Sequence, residues 1–377
     1  MRINPIDNLL YLSLRLLKAF DKRQTDLEYF DPDKVKNILV ISSTAIGDTL
    51  LSTPAIRMVR ERYPNAKIIA HFNIKNMELF ANNPHISGII PYYGGYKKFF
   101  KTIQEFRKHT FDLALILHGN EPQATPMAYL SGVRFVIKLP NTSEYKFLLS
   151  NRKQTFLWED FSHGVEQRLK VAELAGSAVS DKRMVLPLRP EGLPFINNFF
   201  EQNSIQLHDT IVGFQVGAST VSRMWFAEKF IELGKRLTSS YSHLKIVITG
   251  SPQEADYCRT IAIGIGGKTV VSAGVIPLQY VPSLVQRFKV LVTGDTGIMH
   301  MAIAVGTSVV ALFAVADSKV SGPYYNKEKH FIIQKDRTCS PCKGKRCKYQ
   351  KCMKNISVEE VTINIKNIIE NGIGPRI

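Results

Sequence analysis

Residues 293–306, Thr-Gly-Asp-Thr-Gly-Ile-Met-His-Met-Ala-Ile-Ala-Val-Gly, decide the fold class of this 377-residue chain. They lie between apolar runs at 290–292 and 308–313, which predicts a strand, a polar turn, a small-residue helix and a second strand. The turn and the start of the helix carry a carboxylate, a hydroxyl, a glycine and an imidazole, at Asp295, Thr296, Gly297 and His300. Helix N-termini favour anions, and parallel sheets bind ligands at this edge. The stretch therefore predicts a phosphate-binding turn.

The same alternation of strands and helices occurs in two series. In the first, strands are predicted at 37–42, 67–72, 87–90, 112–117 and 134–138, with one helix starting at Thr53 and Pro54 and another at 163–176. After a connection marked by Pro187, Pro190 and Pro194, strands are predicted at 211–215, 245–249 and 289–293 and helices at 226–237, 253–263 and 278–287. This order predicts two Rossmann-like α/β domains whose parallel sheets face a central cleft. The predicted boundaries are a lead-in at 1–35, a first domain at 36–188 and a second at 189–377.

The composition is that of a globular protein with acidic partners. Hydrophobic residues make up 45% of the chain, and a formal net charge of +17 favours nucleic acid, anionic lipid or phosphorylated substrates. The absence of a G-x-G-x-x-G fingerprint and of a P-loop disfavours nicotinamide chemistry. Without a signal-peptide pattern or a membrane-spanning apolar stretch, we expect a cytoplasmic protein able to contact a membrane surface peripherally.

Apolar residues at helical spacing predict an amphipathic helix near the N-terminus. They are Ile6, Leu9, Leu10, Leu14, Leu17 and Phe20, and Arg15, Lys18, Lys22 and Arg23 lie nearby. Such a helix can lie in an anionic membrane interface. The alternative is a helix packed on the protein's own core or on another subunit.

Two carboxylates that follow predicted strands are candidates for chemistry. Asp48 comes after the strand at 37–42, where it can act as a base or simply bind the N–H groups of a helix start. Glu254 follows the strand at 245–249, where it can accept ribose hydroxyls or complement the dipole of its own helix.

The loop Gly217-Ala-Ser-Thr-Val-Ser-Arg-Met-Trp225 follows the first strand of the second series. Small residues let the backbone approach a phosphate, while Ser219, Thr220 and Arg223 offer hydroxyls and a planar guanidinium to it. The alternative is a surface loop with an exposed arginine, anchored by Trp225.

In order and spacing, residues 38–54 with Gly47-Asp48, the loop at 217–225 and the turn at 295–300 resemble glycosyltransferase family nine, the heptosyltransferases. The resemblance runs from about residue 36 to the C-terminus, and three motifs in register are more specific than any one. It implies a GT-B fold and inverting transfer of heptose from ADP-heptose to the lipopolysaccharide inner core, an acidic glycolipid acceptor at the inner membrane.

The resemblance also implies roles for the candidate residues. Asp48 corresponds to the general base on the acceptor hydroxyl, and Arg223 to a catalytic cation beside the leaving diphosphate. The remaining donor-binding positions are Ser219, Thr220, Glu254, Asp295, Thr296, Gly297 and His300. Family members usually have lysine where this chain has Arg223, which keeps the charge but changes reach and geometry. The resemblance also implies that catalysis requires no cofactor.

Four of the five cysteines are spaced C-x2-C-x4-C-x4-C, at Cys339, Cys342, Cys347 and Cys352. Four thiolates suit tetrahedral zinc or iron and leave no open position, so a structural metal is expected here. Free thiols and disulfides are the alternatives.

Basic residues interleave with aromatic ones at 97–108, and a second basic run lies at 337–354. Such patches can bind nucleic acid or an acidic glycolipid, or can be solvated surface. The transferase motifs favour the glycolipid, so no nucleic-acid partner is expected. Two other functions stay open: a transferase of the same fold using another nucleotide sugar or a protein acceptor, and a non-enzymatic metal- or nucleic-acid-binding module.

Overall fold

Parallel β-sheets form the centres of two compact units in a computed structural model that describes residues 5–179 and 181–371. Unit 1 comprises Met1–Val185 and unit 2 comprises Leu186–Ile377. Every strand pairing in both sheets is parallel. The predicted class, two α/β domains with parallel sheets, is therefore confirmed.

Unit 1 contains five strands and five α-helices within the described residues. In chain order they are α1 Pro5–Phe20, β1 Asn37–Ser42, α2 Ile46–Arg62, β2 Lys67–Asn73, β3 Gly88–Tyr92, α3 Phe99–Arg107, β4 Leu113–His118, α4 Ala124–Leu130, β5 Phe135–Lys138 and α5 Gly164–Leu174. The strand order is β3-β2-β1-β4-β5. Because helices cover both faces, the central strand β1 is a continuous buried run from Ile38 to Ile41.

Unit 2 contains a six-stranded sheet. Its elements are α6 Gly192–Gln202, β6 Thr210–Gln215, α7 Ala227–Ser240, β7 Leu244–Thr249, α8 Ala255–Ile265, β8 Thr269–Val271, α9 Val281–Gln286, β9 Val290–Gly294, α10 Gly297–Ala304, β10 Ser308–Phe313, α11 Ser318–Ser321, β11 His330–Gln334, α12 Lys351–Lys354 and α13 Val358–Asn371. The strand order is β11-β10-β9-β6-β7-β8. The chain adds β7 and β8 on one side of β6 and then β9, β10 and β11 on the other, so the strand order reverses between β6 and β9. Ligands bind at such a reversal in open α/β sheets.

The predicted start of α2 at Thr53 and Pro54 is wrong. The helix begins at Ile46, and Pro54 lies inside it. Proline lacks the N–H that would bond the carbonyl of Leu50, but the Thr53 hydroxyl donates to that carbonyl at 2.7 Å. The helix therefore continues through Pro54, and Asp48 lies in its first turn.

Further elements differ from the sequence predictions. The segment 278–287 is a short 3₁₀ turn, Leu278–Tyr280, followed by α9, because Pro282 stands at the start of the α-helix. Strands β8 and β11 and helices α6, α11, α12 and α13 were not predicted. Among the described residues, none of the helices has both the length and the apolar character needed to cross a lipid bilayer.

Candidate active site

In unit 1, Asp48 and His118 meet where the strand order reverses between β1 and β4. Asp48 lies in the first turn of the helix that follows β1, and His118 ends β4. His118 Nε2 is 3.5 Å from Asp48 Oδ1. The Thr44 hydroxyl donates to Asp48 Oδ2 at 3.0 Å and lies 2.7 Å from His118 Nδ1. Asp48, His118 and Thr44 therefore form one hydrogen-bonded group at the ligand edge of the sheet.

Arg168, on α5, supplies a buried positive charge to the same group. Its side chain is 2% exposed, and its Nη2 is 3.2 Å from Asp48 Oδ1. The other guanidinium nitrogens donate to Ser52 Oγ at 3.0 Å and to the Gly164 carbonyl at 2.6 Å. Burial lowers the pKa of Arg168, and the Asp48 carboxylate opposes that shift. Because an arginine stays protonated in proteins, Asp48 is the counter-charge of a buried cation.

The carboxylate of Asp48 is held by these contacts and is still partly exposed. Its side chain is 32% exposed, in contrast to the buried guanidinium that contacts it. A carboxylate fixed in this way can accept a proton from a hydroxyl that approaches from solvent. The N-cap of its helix is Ala45, which makes no side-chain hydrogen bond.

Sequence reasoning missed both His118 and Arg168. His118 lies one residue beyond the predicted strand at 112–117, at the same sheet edge as Asp48. Arg168 lies on the core-facing side of a predicted amphipathic helix, where an arginine requires a counter-charge. Both signals are present in the sequence, but neither shows that the residue contacts Asp48.

In unit 2, the loops after β6 and β9 are joined by an ion pair. Arg223 ends a 3₁₀ turn, Val221–Arg223, and its Nη2 is 3.3 Å from Asp295 Oδ2. Its Nη1 donates to the main-chain carbonyl of Asp295 at 3.4 Å. A side chain at Gly294 would collide with the Arg223 carbonyl, 2.5 Å from an ideal Cβ. The structure thus brings together the two segments that the sequence singled out for phosphate binding.

Glu254 reaches the start of the same loop. Its carboxylate lies so close to Gly217 that a Cβ there would be 1.8 Å from Glu254 Oε1. Glu254 Oε2 also accepts the Ser251 N–H at 2.7 Å, within a capping box. Glu254 therefore caps its own 3₁₀ turn, as the second interpretation expects, and packs against the Gly217–Trp225 loop, while its ribose-binding role stays a prediction.

The remaining donor-site candidates lie in or beside these loops. Thr296 precedes the first residue of α10, Gly297, and its hydroxyl is 3.0 Å from that of Thr293. His300 is buried in the first turns of α10. Thr220 Oγ1 is 3.1 Å from Ser222 Oγ, and Ser219 is exposed to solvent. All of these residues follow β6 or β9, the strands that flank the reversal.

The cysteine segment, residues 339–352, lies against the Gly217–Trp225 loop. Its residue Gln350 donates through Nε2 to the carbonyls of Val221 and Met224 at 2.6 and 2.7 Å. The Ser222 hydroxyl donates to the carbonyl of Lys345 at 3.3 Å. The cysteine segment therefore supports the backbone that carries Arg223.

Four thiols line one cavity of about 130 Å³ in this segment: Cys339, Cys342, Cys347 and Cys352. The Gly344 N–H donates to Cys342 Sγ at 3.4 Å. The four sulfur atoms are not gathered at ligating distance, however. Within the described residues, the set of three or more metal-ligating side chains whose atoms all lie within 4.8 Å is His208, Asp209 and His243 on the surface.

The two parallel α/β units, each with polar loops at its strand-order reversal, have the architecture of the GT-B fold class. The family model for "Glycosyltransferase family 9 (heptosyltransferase)" matches residues 99–353. The chain belongs to this family and is a heptosyltransferase-type glycosyltransferase.

Known relatives agree with this assignment. Lipooligosaccharide heptosyltransferase 2 of Campylobacter jejuni is 24% identical over 89% of this chain and 98% of its own length. The family 9 glycosyltransferase structure from Veillonella parvula has a TM-score of 0.76 at 21% identity, covering 89% of this chain and 97% of that one. E. coli ADP-heptose LPS heptosyltransferase II has a TM-score of 0.73 at 20% identity, covering 89% and 99%. The predicted family, enzyme class and GT-B fold are confirmed.

Proposed function

We propose that this protein transfers heptose, with inversion, from ADP-heptose to a lipopolysaccharide inner-core acceptor at the cytoplasmic face of the inner membrane. The observation that carries the proposal is the joined pair of loops at the β6–β9 reversal, with Arg223 bonded to Asp295. The relatives contribute the sugar, since E. coli heptosyltransferase II is described as acting with ADP-heptose on lipopolysaccharide.

The loops of unit 2 suit the donor diphosphate. Arg223 presents a guanidinium side chain that is 21% exposed beside the start of α10. The N-terminus of α10, at Gly297, adds main-chain N–H groups aligned with the helix dipole. Negative charge grows on the diphosphate as the glycosidic bond breaks, so fixed donors at this place stabilise the transition state more than the ground state.

Asp48 suits the acceptor side of the reaction. In an inverting displacement, the acceptor oxygen forms a bond to the anomeric carbon while the bond from that carbon to the diphosphate oxygen breaks. The acceptor proton passes to Asp48, and ADP leaves with the bonding electron pair. Arg168 and Thr44 hold the Asp48 carboxylate in place, and the Asp48 side chain stays 32% exposed.

The test is ADP release from ADP-heptose in the presence of heptose-acceptor core lipid. We expect Arg223→Met to lower kcat about 100-fold, since removing one such donor typically costs 10²–10³. The matched control is Arg236→Met, because Arg236 is an exposed residue of α7 whose guanidinium pairs with the surface carboxylates of Glu232 and Glu359. Arg236→Met should stay within twofold of the parent. Equal activity of both variants would contradict the donor assignment.

A donor panel separates this function from its alternatives. Turnover with a UDP- or GDP-sugar instead of ADP-heptose would support a transferase of different donor specificity. A product found on protein rather than on core lipid would change the acceptor. Tight, salt-dependent nucleic-acid binding without sugar transfer would support the non-enzymatic module.

We further propose that the cysteine segment holds a structural zinc or iron ion through Cys339, Cys342, Cys347 and Cys352. Their common cavity and the N–H donated to Cys342 support the site. Since the sulfurs are not gathered at ligating distance, binding requires a local rearrangement of this segment. A bound ion would stiffen the support beneath the Arg223 loop and would have no part in the sugar transfer itself.

A further inference from the structure

Helix α1 presents a broad apolar face to solvent. Six large apolar residues are each more than half exposed: Ile6, Leu9, Leu12, Leu16, Leu17 and Phe20. At 3.6 residues per turn they occupy an arc of about 140°. The buried residue of the helix, Leu14, lies outside that arc and packs on Tyr129, Tyr145 and Leu148. One side of α1 therefore attaches it to unit 1, and the other side is exposed to solvent.

A second exposed aromatic side chain lies beside the start of α1. The Tyr96 hydroxyl donates to the Asp7 carboxylate of α1, which fixes the loop before α3 against the helix. Phe100, in the first turn of α3, is 77% exposed. We call the six exposed apolar residues of α1 the α1 face, and Phe100 adds an exposed apolar side chain on the neighbouring helix α3. An apolar face of this extent on a soluble unit marks an interaction surface.

The charges beside the α1 face are positive. Lys97, Lys98 and Lys101 surround Phe100, and all three are exposed. On and just after α1, Arg15 and Lys22 are also exposed, while the one acidic residue of the helix, Asp7, is engaged by Tyr96. A second copy of the chain would place equal positive charges against these, whereas an anionic bilayer complements them.

We propose that the α1 face docks on an anionic lipid bilayer, with its apolar side chains inserted at the headgroup–acyl boundary and the lysines contacting headgroups. This inference rests on the proposed function only in that a lipid-anchored acceptor gives the docking a purpose. Docking would place unit 1, which carries Asp48, at the surface where such an acceptor is embedded.

Vesicle flotation tests the proposal with the full-length protein and vesicles of phosphatidylcholine alone or mixed with phosphatidylglycerol. The parent protein should bind the anionic vesicles and lose affinity as salt rises. Leu9→Glu/Leu16→Glu should weaken binding at least 100-fold, about tenfold for each buried leucine lost. Lys97→Glu/Lys98→Glu/Lys101→Glu should weaken binding to anionic vesicles and remove most of the salt dependence.

The matched control is Leu207→Glu/Ile263→Glu, which makes the same change at residues of unit 2 that are 90% and 83% exposed. It should bind as the parent does. Circular dichroism and thermal melting establish that each variant is folded. The proposal is overturned if the parent does not float, if Leu9→Glu/Leu16→Glu floats as the parent does, or if light scattering shows a lipid-free dimer that this variant dissociates, which would assign the face to a second copy.

A water-soluble, delipidated core acceptor separates this inference from the proposed function. With that acceptor, Leu9→Glu/Leu16→Glu should release ADP at the parent rate, because α1 takes no part in the chemistry. If the parent is inactive with both acceptors but floats with anionic vesicles, the proposed function fails and the docking surface stands.

Discussion

Replacing Asp48 changes both the chemistry and the stability of unit 1, and the two effects can be separated. Asp48→Asn removes a base, which should lower kcat by 10²–10⁴. It also leaves the Arg168 guanidinium buried without a counter-charge. Breaking a buried pair typically costs 3–5 kcal/mol. Because Asp48 is 32% exposed, solvent screens part of the pair, and we expect the free energy of unfolding to fall by about 2–3 kcal/mol.

The double variant Asp48→Asn/Arg168→Met isolates the base. Methionine fills much of the volume of the arginine without its charge, so the free energy of unfolding should return to within about 1 kcal/mol of the parent. Activity should stay at the level of Asp48→Asn. Urea unfolding followed by tryptophan fluorescence measures the first quantity, and ADP release with ADP-heptose and core acceptor measures the second.

Two outcomes would refute this reasoning. If the double variant recovers activity together with stability, Asp48 serves only to neutralise Arg168. If Asp48→Asn is as stable as the parent, the ion pair between Asp48 and Arg168 does not stabilise unit 1. His118→Gln gives an additional comparison, since His118 contacts Asp48 but is itself partly exposed. This substitution should lower kcat less than Asp48→Asn does.

Three other predictions follow from particular contacts. Gly217→Ala should raise the KM for ADP-heptose at least tenfold, because its Cβ displaces the Glu254 carboxylate, whereas Gly267→Ala, which meets nothing within 4 Å, should not change it. Cys347→Ser should reduce the zinc or iron that copurifies, measured by elemental analysis, and raise the same KM; an unchanged metal content would contradict the proposed site. Burial lowers the pKa of His71 from 6.5 to about 4, so the unfolded chain binds more protons between those values. Stability should therefore fall by up to about 3 kcal/mol as pH drops from 6.5 to 4, and urea unfolding of His71→Gln should show a shallower fall.

The strands and their ends could be predicted from the sequence because parallel strands buried on both faces are continuous apolar runs. The strand at 37–42 coincides with β1, and the polar segments after 211–215 and 289–293 lie together because β6 and β9 are neighbours. Once the sheet is parallel, adjacency of strands brings their following loops to one edge. That step needs no knowledge of side-chain packing.

The surroundings of Asp48 could not be predicted in the same way. Arg168 is 120 positions from Asp48 along the chain, and Thr44 is 74 positions from His118. Which residues meet there depends on the strand order and on how α5 packs, and neither is encoded in local propensity. The start of α2 was missed for a related reason, since the Thr53 hydroxyl compensates for the N–H that Pro54 lacks. A side chain thus overrode the usual effect of proline.

The contact between Arg223 and Asp295 gives a physical reason for arginine at this position. A carboxylate beside a donor diphosphate repels it unless its charge is neutralised. Arg223 neutralises Asp295 through Nη2 and donates to its main-chain carbonyl through Nη1. The compact ammonium of lysine lacks the planar fork that makes these contacts together. Arg223→Lys should therefore retain the charge but loosen Asp295, so that the KM for ADP-heptose rises while Asp295→Asn partly restores it. If Asp295→Asn further weakens the lysine variant, Asp295 contacts the donor directly instead of positioning Arg223.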